Sequence, residues 1–356
     1  MKPYLKQKKD RSIMKKYYLG ATLILTSISS TLLGRSPFRP PEIPIPEIIT
    51  NWEGETETYH LKNNYIEETE VFHTFDHQYL KKHLLPTGKI PYRNYPEKNI
   101  SGELLTELTD HLIKELKEGN TRYTDFIMLK NSDFNPHTLS GGIILKFKKY
   151  PFVLKLFLET PQTFSSPFSK GWQPTFIFMM SGGLNRFLLG FNRIKNLEQT
   201  KEKINNSPEW AGRVDLPRKW FVIPPSARWF EVRSKNLPHD NFIRLPSAYG
   251  IIADAISADK KFTLFNKKNR ELTMSLCRFL ETSIDPHIDN FLKEKETGKL
   301  VIIDTEPFLN LVGIKKPMLF ENYFSWYTQI AFKCIRDLFG RDKKSRLQLC
   351  KRVNPA

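Results

Sequence analysis

Three short apolar runs follow one another between residues 125 and 159: DFIMLK, GGIILKFKK and PFVLKLFLE. Each is too short for a stable helix, is rich in β-branched or aromatic residues, and is set off by Asn, Asp, Gly and Pro. That pattern predicts an antiparallel strand meander. KWFVIPPSARWFEVR (219–233) reads as a further hairpin and AYGIIADAIS (248–257) as a buried strand. From residue 268 the period changes. NRELTMSLCRFLETS gathers Leu272, Leu276, Phe279 and Leu280 on one helical face, and NYFSWYTQIAFKCIRDLFG (322–340) gathers Phe324, Tyr327, Ala331, Ile335 and Leu338. Strands first and helices second imply an α+β chain of two lobes joined near 254–262, and ligands favour such clefts.

Upstream, SGELLTELTDHLIKELKEG predicts a helix with Leu104, Leu105, Leu108, Leu112 and Leu116 on one face, Ser101 as N-cap and Gly119 as its end. NRIKNLEQTKEKI (192–204) reads as a basic helical piece. With 356 residues, 40% of them hydrophobic and 26 Phe, the chain can bury a sizeable core, which excludes global disorder. The net charge of +17 suits a phosphate-bearing or anionic partner. The lysines are scattered rather than gathered in one stripe, so no specific nucleic acid is expected as a partner. Cys277, Cys334 and Cys350 are odd in number and lack a paired spacing, which supports neither a disulfide framework nor a zinc site.

The N-terminus has the form of a targeting segment. Seven Lys and Arg between Lys2 and Lys16 precede the mostly apolar YYLGATLILTSISSTLLG (17–34). This is either a cleaved signal peptide or a short membrane anchor, with the basic flank on the cytoplasmic side and the rest of the chain exported. Five prolines between Pro37 and Pro46 make an extended spacer. The expected organisation is 1–35 flank and signal or anchor, 36–100 Pro-rich linker and polar extension, 101–256 β-rich lobe with insertions, and 257–356 helical lobe. His73, His77 and His83 lie within the extension, and no motif of known ligand geometry completes them, so they read as solvated side chains.

SIDPHIDNFLKEKETGKLVIIDTE (283–306) carries the chemistry. A helix ending near Thr282 delivers Asp285 in a loop. NFLK and KLVIID pair as a hairpin across EKETG, with Gly298 in the turn. Asn290 opens the first strand and Asp304 closes the second, so pairing brings their side chains to one end, beside Asp285. Two carboxylates and an amide make a hard-oxygen set of the kind magnesium takes together with substrate phosphates.

DPHIDN followed by VIIDTE resembles the catalytic loop and metal-binding aspartate of the protein-kinase-like superfamily, nearest its aminoglycoside- and choline-phosphotransferase branch. That resemblance implies a bilobal kinase-like fold, with ATP and Mg²⁺ as cofactors and transfer of the γ-phosphoryl to a hydroxyl acceptor on a protein or small molecule. It implies Asp285 as catalytic base and Asn290 and Asp304 as magnesium ligands. GGIILKFKKYPFVLKLF resembles the family's second and third strands, which makes Lys155 the phosphate-facing lysine, Gly141 and Gly142 the start of the strand after the phosphate loop, and Glu198 the helical partner of Lys155. The chain departs from the family in three places: Ser283 stands where the family has histidine, NSDFNPHTLSGG lacks the full glycine motif, and Thr305 and Glu306 replace the usual aromatic and glycine. Those departures leave a second reading, a membrane-tethered or exported pseudokinase that binds or scaffolds.

Overall fold

The structure is a computed structural model, and it describes residues 47–52, 55–60, 76–160, 163, 183–234, 242–281, 284–306, 322–326 and 328–329. All of them belong to one compact unit, Ile45–Ala356. The targeting segment, the Pro-rich spacer, His73, Ser283, Cys334, Cys350 and the C-terminal helix beyond residue 329 lie outside the described residues.

The described residues form an α+β fold with several antiparallel sheets and few helices. β1 (Glu47–Trp52) and β2 (Glu55–His60) come first, then α1 (His77–Lys82), β3 (Lys89–Tyr92) and β4 (Tyr95–Ser101). β4 runs directly into α2 (Gly102–Lys117). Ser101 precedes α2 as expected, but its hydroxyl donates to the Thr87 carbonyl rather than capping the helix. Gly119, at φ +74°, ends the segment in the left-handed region that glycine occupies at little cost.

The meander forms as β5 (Phe126–Asn135), β6 (Ser140–Phe147) and β7 (Phe152–Leu158). After α3 (Gly183–Asn205) come β8 (Val214–Asp215), β9 (Lys219–Val222), β10 (Trp229–Ser234), β11 (Phe242–Pro246) and β12 (Ala248–Asp254). The central sheet has the order β5-β6-β7-β12-β9, antiparallel throughout. β9 and β10 do not make the hairpin that KWFVIPPSARWFEVR predicts. β9 pairs with β12, while β10 pairs with β1 and β11 in a separate sheet of order β11-β10-β1-β2. Pro224 and Pro225 stand between the two strands; a prolyl nitrogen donates no ladder bond, so they divert the chain between sheets. Two strands of the segment expected to be a polar extension, β1 and β2, are therefore part of the sheet framework.

Strand alternation gives the central sheet two faces. Phe152, Leu154, Leu156 and Leu158 of β7 point into a core closed by Leu105, Leu112, Ile113 and Leu116 of α2. Val153, Lys155 and Phe157 point the other way, and Phe157 and Lys155 lie beside Gly190 and Arg193 of α3. On that face Phe191 of α3 stacks on Phe221, and Phe157 stacks on Tyr249. Gly190 permits the close approach, since a Cβ there would stand 2.0 Å from the Tyr249 hydroxyl.

The third sheet is built on the predicted hairpin. β13 (Ala258–Lys261), β14 (Phe291–Glu294), β15 (Leu300–Ile302) and β8 lie in the order β13-β14-β15-β8, with β8 parallel to β15. α4 (Lys267–Phe279) is capped by Asn266, which accepts from the Asn269 N–H. A second core joins Leu276, Cys277 and Leu280 to Phe291, Leu300, Ile302 and the α3 residues Leu197 and Ile204. Leu276 and Leu280 are buried as expected and Leu272 packs against this core, but Phe279 is 37% exposed, and Met274 and Cys277 are buried on α4 besides. Near the C-terminal end of the described chain Tyr323 and Trp326 are buried while Phe324 is exposed, a shift of one position from the predicted stripe.

Candidate functional site

The site forms where the α3-facing side of the central sheet meets the end of β15. Lys155 sits at the middle of β7, opposite Ile144 on one side and Ile251 on the other. Its ammonium donates to Oδ2 of Asp304 at 2.8 Å. Burial, together with the neighbouring Arg193 charge, holds Lys155 below the ordinary lysine value, and the carboxylates oppose that shift. A lysine on an apolar strand is tolerable because its charge is met there.

Asp304 gathers cations. Its Oδ1 accepts from Nε of Arg193 at 3.0 Å and from the Glu306 N–H at 3.2 Å. The other arm of the Arg193 guanidinium donates to Glu306. Burial works against ionisation of Asp304, but Arg193, Lys155 and Lys219 outweigh it and hold the carboxyl well below its usual range. Lys219, at the start of β9, donates to the Thr305 hydroxyl at 3.0 Å and is only 8% exposed. Burial lowers its pKa to about 7; Asp304 opposes the shift, and Lys155 and Arg193 add to it.

Asp285 lies in the loop before β14. Ile284 and Ile288, both buried, anchor that loop, and the Ile288 N–H donates to the Tyr323 hydroxyl. One Asp285 oxygen accepts from the His287 N–H at 3.0 Å. Burial raises its pKa to about 7, against that hydrogen bond, and the charges of Glu306 and Asp304 raise it further. Asn290 donates from Nδ2 to the Asp285 backbone carbonyl at 3.1 Å, while its backbone carbonyl accepts from the Ile303 N–H. The hairpin thus sets Asn290 opposite Ile303, one residue before Asp304. Asp285, Asn290, Asp304 and Lys155 all come to one region.

Gly141 and Gly142 follow Ser140 at the start of β6, opposite Leu158 and Phe157. Gly141 has φ +116°, and a Cβ there would lie 1.9 Å from the Asp133 carbonyl, so the close crossing of β5 and β6 requires glycine. Glu198 stands apart from Lys155. It accepts from the Tyr79 hydroxyl and the His83 ring, both at 2.8 Å, and so ties α3 to α1. Burial opposes ionisation of Glu198, and these two bonds prevail and lower its pKa. His77 contacts the Arg244 carbonyl. Among the described residues, no three His, Cys, Asp or Glu side chains cluster as a metal-ligand group.

Arg193 and Lys219 are the site residues that the sequence reading missed. A signal for Arg193 exists: buried residues of α3 include Arg193, Asn196 and Thr200 among Ile194, Leu197 and Ile204, so polar side chains interrupt the apolar face at helical spacing. Glu198 lies on the exposed side of that stripe. Lys219 has no such signal, because a lysine at a strand start reads as solvated.

Compared with protein-family models, with curated proteins and with solved structures, the chain matches none.

Proposed function

We propose that this chain is an atypical phosphotransferase that moves the γ-phosphoryl of ATP to a hydroxyl acceptor with Mg²⁺. The observation that carries the reading is the Lys155–Asp304 ion pair, because it joins the two halves of the sequence resemblance at one point. A lysine on the third strand of an antiparallel sheet and an aspartate just after a hairpin are the arrangement expected for holding nucleotide phosphates and their metal.

The residues suit magnesium, which asks for one or two protein oxygens and completes its shell with waters and phosphates. Asp304, with Oδ2 beside Lys155, and the amide oxygen of Asn290 are the groups that would hold it. When bound, the metal neutralises the phosphate charge that grows on the leaving group. Lys155 binds and orients the phosphates. Asp285 is the base: the acceptor oxygen forms its bond to the γ-phosphorus, the bond to the ADP oxygen breaks, and the hydroxyl proton passes to the Asp285 carboxylate. A carboxyl poised near neutrality is matched to that role.

The competing reading, a pseudokinase that binds and scaffolds, draws support from one feature. Both oxygens of Asp304 already hold side-chain cations, and the α3 residue in contact with it is an arginine rather than a glutamate reaching Lys155. Thermal unfolding of the full-length chain with ATP, with and without Mg²⁺, separates the outcomes. A Mg²⁺-dependent stabilisation that Asp304→Asn abolishes, together with ATP hydrolysis or transfer lost in Asp285→Asn, supports the enzyme. Stabilisation without turnover supports the scaffold, and no stabilisation in any condition overturns both.

A further inference from the structure

We infer that Arg193 is a positioning residue that decides which oxygen of Asp304 stays open to an incoming cation. The inference rests on the phosphotransferase reading and assigns the orientation of its central carboxylate to a helix rather than to the hairpin. A carboxylate oxygen has two lone-pair sites. On Oδ1 of Asp304 both are taken, one by Nε of Arg193 and one by the Glu306 N–H. Oδ2 accepts Lys155, which leaves its second lone pair as the point of entry.

Arg193 is well fixed for this task. Its side chain is 9% exposed, its second arm holds Glu306, and its guanidinium lies 5.8 Å from the Phe157 ring centroid. Other groups of α3 lock the same segment. The Arg193 carbonyl accepts from the Thr305 hydroxyl at 2.6 Å, and Asn196 donates to the Thr305 carbonyl at 2.9 Å. Asp304, Thr305 and Glu306 are therefore all held by α3, whose seat on the sheet is set by Gly190 one turn earlier.

With Oδ1 occupied, Oδ2 is the oxygen through which Asp304 would accept a cation, without first having to turn. Without the guanidinium, Asp304 can rotate to give Oδ1 to Lys155 or to solvent, and the open lone pair is no longer fixed. Groups that orient a ligating carboxylate typically govern metal affinity by about 10- to 100-fold. Lysine at this position supplies charge but not the fork that reaches Asp304 and Glu306 together.

The test uses full-length protein, ADP and Mn²⁺ as probes, with calorimetric titration of Mn²⁺ at saturating ADP and of ADP in a chelator. Arg193→Gln is expected to weaken Mn²⁺ by about ten-fold or more while metal-free ADP affinity stays within about two-fold. Arg193→Lys should recover part of the loss. If Arg193→Gln leaves the Mn²⁺ affinity unchanged, or weakens ADP alone and Mn²⁺ equally, Arg193 is merely structural and the inference falls. Should Arg193→Gln not fold by circular dichroism, Arg193→Lys carries the test, and wild-type Mn²⁺ affinity in it overturns the inference. Wild-type protein that binds ADP in neither condition sinks the phosphotransferase reading and this inference with it. Wild-type binding with an indifferent Arg193→Gln sinks this inference alone.

Discussion

The ammonium of Lys155 and Oδ2 of Asp304 lie 2.8 Å apart although 149 residues separate them in sequence. That contact joins the central sheet to the end of the β14–β15 hairpin, so the two elements cannot shift independently without separating charges. Arg193 and Lys219 lie close enough to share the same carboxylate electrostatically, which makes Asp304 the hub of a part-buried charge cluster.

Removing the hub should cost more than removing one spoke. Asp304→Asn leaves Lys155 and Arg193 with Glu306 as their remaining carboxylate, whereas Lys155→Met leaves Asp304 still held by Arg193. Breaking a fully buried pair costs about 3–5 kcal/mol. The side chains here are 20% and 21% exposed, so the expected loss for Asp304→Asn is discounted to about 2 kcal/mol. Lys155→Met should lose about half of that. Urea unfolding of the two single variants and the double variant checks the order, and a coupling energy of about 1 kcal/mol is expected from the cycle.

Asp285 should set both a pH profile and a stability penalty. Its folded pKa, about 7, lies above the ordinary aspartate value of 3.8, so the fold favours the neutral acid. The sign follows: the penalty is absent below the unfolded pKa, grows as pH rises from about 4, and is complete above about 7. At pH 8 Asp285→Asn should therefore be more stable than wild type, by up to about 4 kcal/mol if the whole shift is realised. Asparagine keeps the acceptor for the His287 N–H. On the proposed phosphotransferase reading, transfer in wild type should rise with pH through about 7, and Asp285→Asn should lose about 10²- to 10⁴-fold. Melting temperatures at pH 5 and pH 8, with initial rates across the range, test both halves. An equal shift at both pH values would contradict the charge argument.

Much of this was legible where local pattern and tertiary demand agree. The three meander runs become β5, β6 and β7, and NFLK and KLVIID pair because Gly298, at φ +67°, supplies the turn. Asp285, Asn290 and Asp304 could be read because their spacing is set by that one local hairpin. Arg193 and Lys219 could not be read this way: their partners are 111 and 86 residues distant, and sequence spacing carries no trace of such contacts. The pairing of β9 escaped for a similar reason. Its run looks like half of a hairpin, but prolines separate it from β10 and the vacant edge of β12 takes it. The family resemblance places Glu198 as the helix residue facing Lys155, but the apolar face of α3 turns Arg193 there and leaves Glu198 to Tyr79 and His83.

Lys219 should behave in the opposite sense to a stabilising ion. Its folded pKa of about 7 lies below the ordinary lysine value of 10.5, so the fold favours the neutral amine. The penalty is complete below about 7 and disappears as pH rises toward 10.5. Lys219→Met retains the apolar stem and removes the charge, at the loss of one bond to Thr305. It should raise the melting temperature at pH 6 and leave little difference near pH 10. Scanning calorimetry of the two proteins at those values decides the matter, and a loss of stability at pH 6 would mean that attraction to Asp304 outweighs burial.

Gly190 links the packing of α3 to the chemistry of the site. A methyl group there would meet the Tyr249 hydroxyl at 2.0 Å and the Phe157 ring at 2.9 Å. In a close-packed interior neither ring can yield freely, so Gly190→Ala should displace the helix and cost about 1–3 kcal/mol. The displacement passes to Arg193, three residues on, and thence to Asp304, so on the proposed reading nucleotide-dependent stabilisation should fall by more than the stability loss alone accounts for. Tyr249→Phe removes the nearest obstructing atom. The double variant should recover part of both losses, since the Phe157 ring still crowds the new methyl. Recovery of stability without recovery of nucleotide-dependent stabilisation would show that the seat of α3 and the orientation of Asp304 are independent.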